Sequence, residues 1–221
     1  EICKRKKINP LIFGQHRCHS IYLAFGGMLD KFIGDAIMAG FGVPFPSDDA
    51  ADAAVRSSIA MISQLRTWNA DRLKADKMPV GMGVGVNTDN VVTGNIGSSK
   101  RMDFTMIGDG VNLAARLEGS CKTYGAQIII SEFTQTKLKG IYALRELDRI
   151  VVKGKTEPVS IFEVLDFHDD ETFPARMDVV GHFTEGLAHY RNTKFDDAIK
   201  SFKAALDANS EDVPSKLYIE R

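Results

Sequence analysis

The chain has 221 residues, enough for one medium domain and an appendage, with a core large enough to fold unaided. Hydrophobic residues make up 44% and charged residues 26%, the composition of an ordinary soluble globular protein. With 28 basic and 29 acidic side chains the net charge is −1, which excludes a general electrostatic attraction to nucleic acid or acidic lipid.

The N-terminus opens on a basic cluster, Lys4, Arg5, Lys6 and Lys7, with no apolar core behind it, so no signal peptide is expected. Uncharged stretches such as residues 36–47 fall short of the roughly 18 apolar residues of a membrane span. Cys3, Cys18 and Cys121 cannot form a disulfide framework and indicate a reducing, cytoplasmic setting. The chain could equally be the cytoplasmic part of a larger, membrane-anchored protein. His16, Cys18 and His19 fit no zinc spacing and read as incidental surface residues.

Residues 1–20 have no clear period, and the apolar run 22–25 is punctuated by Gly26-Gly27. Two apolar arms, 28–33 and 36–41, flank Gly34-Asp35, the signal of a type II′ hairpin with Asp35 at its tip. Ser47-Asp48-Asp49 supplies a helix N-cap and acidic first turn. Ala51, Val55, Ile59, Ile62 and Leu65 then recur at helical spacing to about Trp68. Val80, Met82, Val84 and Val86 alternate with glycines and predict a strand that another backbone approaches closely. Residues 91–96 read as a strand, 98–101 as a turn, and 104–107 as a strand entering Gly108-Asp109-Gly110. A helix is expected over 111–122, a buried strand over 127–131, a short helix over 132–138, and a closing strand pair over 144–152 and 159–167. The mixture argues α+β or α/β rather than all-α.

Beyond the polar break at 168–171, residues 178–208 turn purely helical. Gly186, Ala198, Phe202 and Ala205 match the small and aromatic positions of a tetratricopeptide repeat, with Tyr190 one place off and Ser210 where proline usually stands. One such repeat cannot bury its own face. It needs a neighbour in the domain, in a protein partner or second subunit, or in further repeats past Arg221.

Three segments resemble the signatures of class III nucleotidyl cyclases of the bacterial adenylate cyclase type. They are Gly27-Met28-Leu29-Asp30-Lys31-Phe32-Ile33-Gly34-Asp35-Ala36-Ile37-Met38-Ala39, then Arg101-Met102-Asp103-Phe104-Thr105-Met106-Ile107-Gly108-Asp109-Gly110-Val111-Asn112-Leu113-Ala114-Ala115-Arg116-Leu117-Glu118, then Val152-Lys153-Gly154-Lys155 with Glu157-Pro158-Val159. The resemblance implies a ferredoxin-like sheet with helices on one face, class α+β. It places the catalytic domain at 26–167, a short helical hairpin at 175–221, and an atypical segment at 1–25. It also implies a homodimer with active sites at the interface.

The implied substrate is ATP, converted to 3′,5′-cyclic AMP and pyrophosphate with two Mg²⁺ or Mn²⁺ ions per site. By the resemblance Lys31 reads adenine N1, to which a donor-only lysine is suited, and Thr105 accepts from the 6-amino group. Asn112 orients the ribose, Arg116 stabilises charge at the α-phosphate, and Lys153, with Lys155 close by, binds the triphosphate. Asp35 matches the second metal aspartate of the family. The first, in a Phe-Ser/Thr-Asp strand roughly forty residues earlier, has no counterpart, and no acidic residue stands between Glu1 and Asp30. A truncated or foreign N-terminus is the first explanation. A non-catalytic dimerisation or regulatory module and a partner chain that completes the site are the alternatives. A tetratricopeptide scaffold remains a further function class. RNA binding is discounted because the aromatic sheet motif is absent and the net charge is −1.

Overall fold

The computed structural model describes residues 18–98, 101–151 and 158–221. A short helix α1 (residues 18–24) precedes β1 (Met28–Ile33), β2 (Ala36–Gly40), α2 (Ala50–Lys74), β3 (Val84–Val86), β4 (Val92–Ser98) and β5 (Arg101–Ile107). Then follow α3 (Asp109–Tyr124), β6 (Ile128–Ser131), α4 (Glu132–Gln135), β7 (Leu144–Ile150), β8 (Val159–Val164), α5 (Arg176–Arg191), α6 (Phe195–Ala208) and α7 (Val213–Glu220). The class is α+β, as expected. The strands form a four-stranded sheet of order β3-β6-β8-β7 and two ribbons, β1-β2 and β4-β5. No described helix is long and apolar enough to cross a membrane.

The chain divides into two compact units, each with its own packing. The first holds the described part of residues 1–82 with Asn87–Leu113 and Thr136–Gly140. Its long helix α2 buries Ala51, Ala54, Val55, Ser58 and Ile62, a stripe at helical spacing. Asp49 is the N-cap residue, yet its side chain makes no capping bond. Ser47 Oγ instead accepts from Asp49 N at 3.3 Å, and the Asp49 carboxylate pairs with Arg56. Buried Asp52 accepts from the backbone N–H groups of Lys139 (2.9 Å) and Gly140 (2.8 Å), pinning that loop. Cys18 is buried, not on the surface as its sequence context suggested, and its thiol lies 3.8 Å from Met82 Sδ. His16 lies outside the described residues.

The strand expected from Val80 shortens to Val84–Val86. Asn69 takes both backbone groups of Val80, donating to its carbonyl at 2.8 Å and accepting from its N–H at 2.9 Å, so that residue has nothing left for a ladder. The close approach expected at the glycines holds for Gly83 and Gly85 in the second unit. A Cβ on Gly85 would stand 2.2 Å from the Ala114 carbonyl oxygen of α3, and one on Gly83 2.9 Å from Cys121 Cβ.

The second unit holds the four-stranded sheet and the C-terminal helices. A Cβ on Gly186 of α5 would meet the Phe202 ring of α6 at 2.6 Å, so glycine permits that crossing. Phe183, Leu187, Ala198, Phe202 and Tyr218 form one buried cluster. Leu165, Phe173, Val179 and Ala205 form another that joins the hairpin to the end of β8. The neighbour that one repeat lacks is therefore supplied within the chain, by α7 and by the sheet. Edge strand β7 receives the Tyr218 hydroxyl on the Leu147 carbonyl at 2.9 Å.

Two ion pairs add to this docking. Arg191 of α5 makes two hydrogen bonds to Glu146, and Arg221 donates to Asp148 at 2.6 Å. The Arg191 hydrogen bonds hold the Glu146 carboxyl below its ordinary range. Burial pushes Asp148 up, but hydrogen bonds from Arg221 and Tyr124 prevail and its pKa is also lowered. A carboxyl with a lower pKa in the folded state adds stability that is complete above the unfolded value and is lost as pH falls through the folded one. Lowering the pH from about 6 to about 3 should therefore loosen α5 and α7, read as falling amide-exchange protection factors. Arg191→Met should remove the Glu146 share of that dependence, and pH-independent protection would refute the account.

Candidate active site

The β1-β2 ribbon is the hairpin that the sequence predicts. Ile33 pairs with Ala36, Gly34 takes φ +62°, and Asp35 is not left-handed, the pattern of a type II′ turn. Asp35 is exposed at the tip. The ladder then slips: Leu29 faces Ala39 while Lys31 faces Met38, so Asp30 is an extra residue in β1, a β-bulge.

In a regular strand neighbours 30 and 31 would point to opposite faces. The bulge brings them to one side, where Lys31 Nζ lies 3.5 Å from Asp30 Oδ2. The Asp30 side chain is wholly buried, whereas that of Lys31 is 43% exposed. Thr105, buried on β5 and paired with Gly94 of β4, donates its hydroxyl to the same Asp30 Oδ2 at 3.0 Å. The two residues expected to read the base, 74 positions apart in number, thus meet at one carboxylate. A cleft of about 490 Å³ opens beside them, lined by Asp30, Lys31, Phe32, Met102, Asp103 and Phe104. Asp30 Oδ1 has no hydrogen-bond partner. Sequence reasoning passed over Asp30, because a bulge is not encoded in apolar alternation.

Helix α3 carries the other expected pair. Leu113, Leu117 and Cys121 recur every fourth residue on its buried face, and Asn112 and Arg116, one turn apart, are exposed. Burial pushes the Cys121 thiol up to about 12, so it is no nucleophile, and burial also raises that of Cys18. Lys153 and Lys155 lie outside the described residues. Among the described residues no group of three His, Cys, Asp or Glu side chains could hold a metal.

The fold and the bulged β1-β2 hairpin fit a nucleotide cyclase domain. The chain belongs to the adenylate and guanylate cyclase catalytic domain family, whose model matches residues 29–165. It is 34% identical to the terminal-differentiation specific adenylate cyclase of Dictyostelium discoideum over 212 residues, covering 90% of this chain and 10% of that protein. That alignment cannot stop at residue 165 and runs into the C-terminal helices. It is 40% identical to an adenylate cyclase of Anabaena cylindrica over 146 residues, covering 63% of this chain and 28% of that one. The chain thus spans only about a tenth to a quarter of the length of these relatives. The crystal structure of the adenylyl cyclase CyaB from P. aeruginosa superposes with a TM-score of 0.63 at 34% identity, over 72% of this chain and 82% of that one. The guanylyl cyclase Cya2 superposes with a TM-score of 0.61, also at 34% identity and with the same coverage. Likeness alone therefore leaves the choice of base open.

Proposed function

We propose that this domain converts ATP to 3′,5′-cyclic AMP and pyrophosphate. The observation that carries the reading is the pairing of Lys31 and Thr105 through Asp30 beside the cleft. Adenine presents an acceptor at N1 and a donor at its 6-amino group. Lys31 is donor-only, and the Thr105 hydroxyl, having given its proton to Asp30, keeps its lone pairs. Guanine reverses both edge groups, with N1–H a donor and O6 an acceptor.

In the reaction the ribose 3′-hydroxyl gives its proton to solvent water and its oxygen attacks the α-phosphorus. The bond from that phosphorus to the oxygen bridging to the β-phosphate breaks, and pyrophosphate leaves. Positioning and charge stabilisation carry most of such a step. Asn112 orients the ribose, Arg116 meets the charge on the α-phosphate oxygens, and Lys153 holds the triphosphate. An exposed carboxylate at a hairpin tip suits a hard cation, and Mg²⁺ is often held by one or two carboxylates plus substrate phosphates. Asp35 would hold one such ion, Mg²⁺ or Mn²⁺. The two-ion site of the family needs a further carboxylate. When bound, the ion neutralises phosphate charge.

A second copy of the chain is the proposed partner. Met102 and Phe104 expose apolar side chains on one face of the β4-β5 ribbon and the paired Val92 and Ile107 on the other, and a homodimer interface would cover one of these faces.

Base choice is the test. The complete protein should cyclise ATP far faster than GTP, and Lys31→Glu with Thr105→Cys should weaken ATP use and admit GTP. Equal turnover of the two nucleotides by the unmodified protein would overturn the assignment.

A further inference from the structure

Asp30 is the one residue of this cluster to which no role has been given. Its side chain is wholly buried, yet one carboxylate oxygen has no partner. A buried polar group left unpaired costs stability, and such groups in native proteins ask for a reason. The bulge that places it is a second departure from regularity, since one register step aims Asp30 at the same side as Lys31. Its other oxygen does two things at once. It stands 3.5 Å from the Lys31 ammonium and accepts the Thr105 hydroxyl at 3.0 Å.

We propose that Asp30 is a specificity-determining positioning residue, which sets the hydrogen-bond polarity of the base-reading pair and thereby selects adenine over guanine. A threonine hydroxyl has one proton and two lone pairs, so on its own it can serve either an amine or a carbonyl. A carboxylate is acceptor-only, and the hydroxyl beside it must donate. Once its proton points at Asp30, Thr105 can only accept, which matches the adenine amine and rejects the guanine O6. The same carboxylate draws the Lys31 ammonium toward the cleft wall, so donor and acceptor stand side by side in the order that adenine requires. Asp30 need not touch the nucleotide, because it acts through Thr105 and Lys31. This inference rests on the ATP reading above.

The test is the ratio of GTP to ATP dissociation constants, measured on the full chain by displacement of a fluorescent ATP analogue. Asp30→Leu is close in size and offers Thr105 no acceptor, so the hydroxyl is free to turn. The preference for ATP should fall by about tenfold or more, the discrimination lost when a polar site no longer matches its ligand. Thr105→Val, also conservative in shape, should lower the ratio to a similar level. If Asp30→Leu fails to fold, Asp30→Ala carries the test. In the Thr105→Val background Asp30→Leu should add only the smaller change that passes through Lys31. A purely structural role would weaken both nucleotides together and leave the ratio alone, and that result would overturn the inference. An unmodified chain with no ATP preference would instead remove the base assignment beneath it. ATP preference that survives Asp30→Leu removes the role of Asp30 only.

Discussion

Replacing Arg116 with alanine should lower kcat for ATP cyclisation in the complete protein by about a hundred- to a thousandfold, with KM nearly unchanged. The magnitude is that of removing one donor aimed at charge that develops in the transition state. Arg116 sits one turn beyond Asn112 on α3, exposed, while Leu113 and Leu117 hold the helix by its other face. Its planar fork can meet two phosphate oxygens at once, which a lysine cannot copy, so Arg116→Lys should recover only a small part of the loss. Because the side chain is exposed and alanine favours the helix, thermal stability should change by less than about 1 kcal/mol. Steady-state rates with a parallel melting curve decide the matter. A large fall in stability with kcat preserved would make Arg116 a structural residue. A raised KM at constant kcat would make its contribution one of ground-state binding.

The parts of this site that were legible in the sequence are those set by local chemistry. Gly34-Asp35 between two apolar arms encodes a turn whose geometry needs a positive φ, and the turn forms there. The fourfold spacing of Leu113, Leu117 and Cys121 fixes which face of α3 is buried and therefore leaves Asn112 and Arg116 outside. The parts that were not legible depend on long-range choices. The bulge at Asp30 is a register decision between two strands, and the hydrogen bond from Thr105 spans 75 residues. The helical character of the tail was legible, but α7 was not set apart from the hairpin as a third helix, although a signal existed. Asp212 caps it by accepting from Ser215 N, and Pro214 stands in its first turn. Cys18 was misjudged because the neighbours that bury it are distant in sequence.

Arg145 was the least legible residue of all, since an arginine in an alternating strand reads as solvent-facing. It is 3% exposed and joins two buried carboxylates. It donates to Glu163 Oε2 from Nε (3.1 Å) and Nη2 (2.6 Å), and to Asp212 Oδ1 from Nη1 (2.6 Å). Its guanidinium lies 5.4 Å from the Phe173 ring and 5.2 Å from that of Phe183. Asp212 Oδ2 in turn accepts from the Ser215 amide and hydroxyl, so the cation ties the start of α7 to the sheet.

Arg145→Ala would leave two buried carboxylates with no cation between them, and the expected cost is about 3–5 kcal/mol at neutral pH. Urea unfolding of the second unit, followed by amide exchange in α7, should show both the lower midpoint and the freed helix. The deficit should depend on pH with a definite sign. Burial already pushes the Glu163 carboxyl up, and in the variant the opposing pull of Arg145 is gone. A folded state that takes up protons before the unfolded state does gains stability as the pH falls toward the unfolded value. The variant should therefore recover part of its loss between about pH 7 and about pH 5. Adding Glu163→Gln and Asp212→Asn to the alanine variant should recover part of it at neutral pH, because the uncompensated charge is then removed. A deficit below about 1 kcal/mol, or one that grows on acidification, would mean that the triad does not anchor the C-terminal helices.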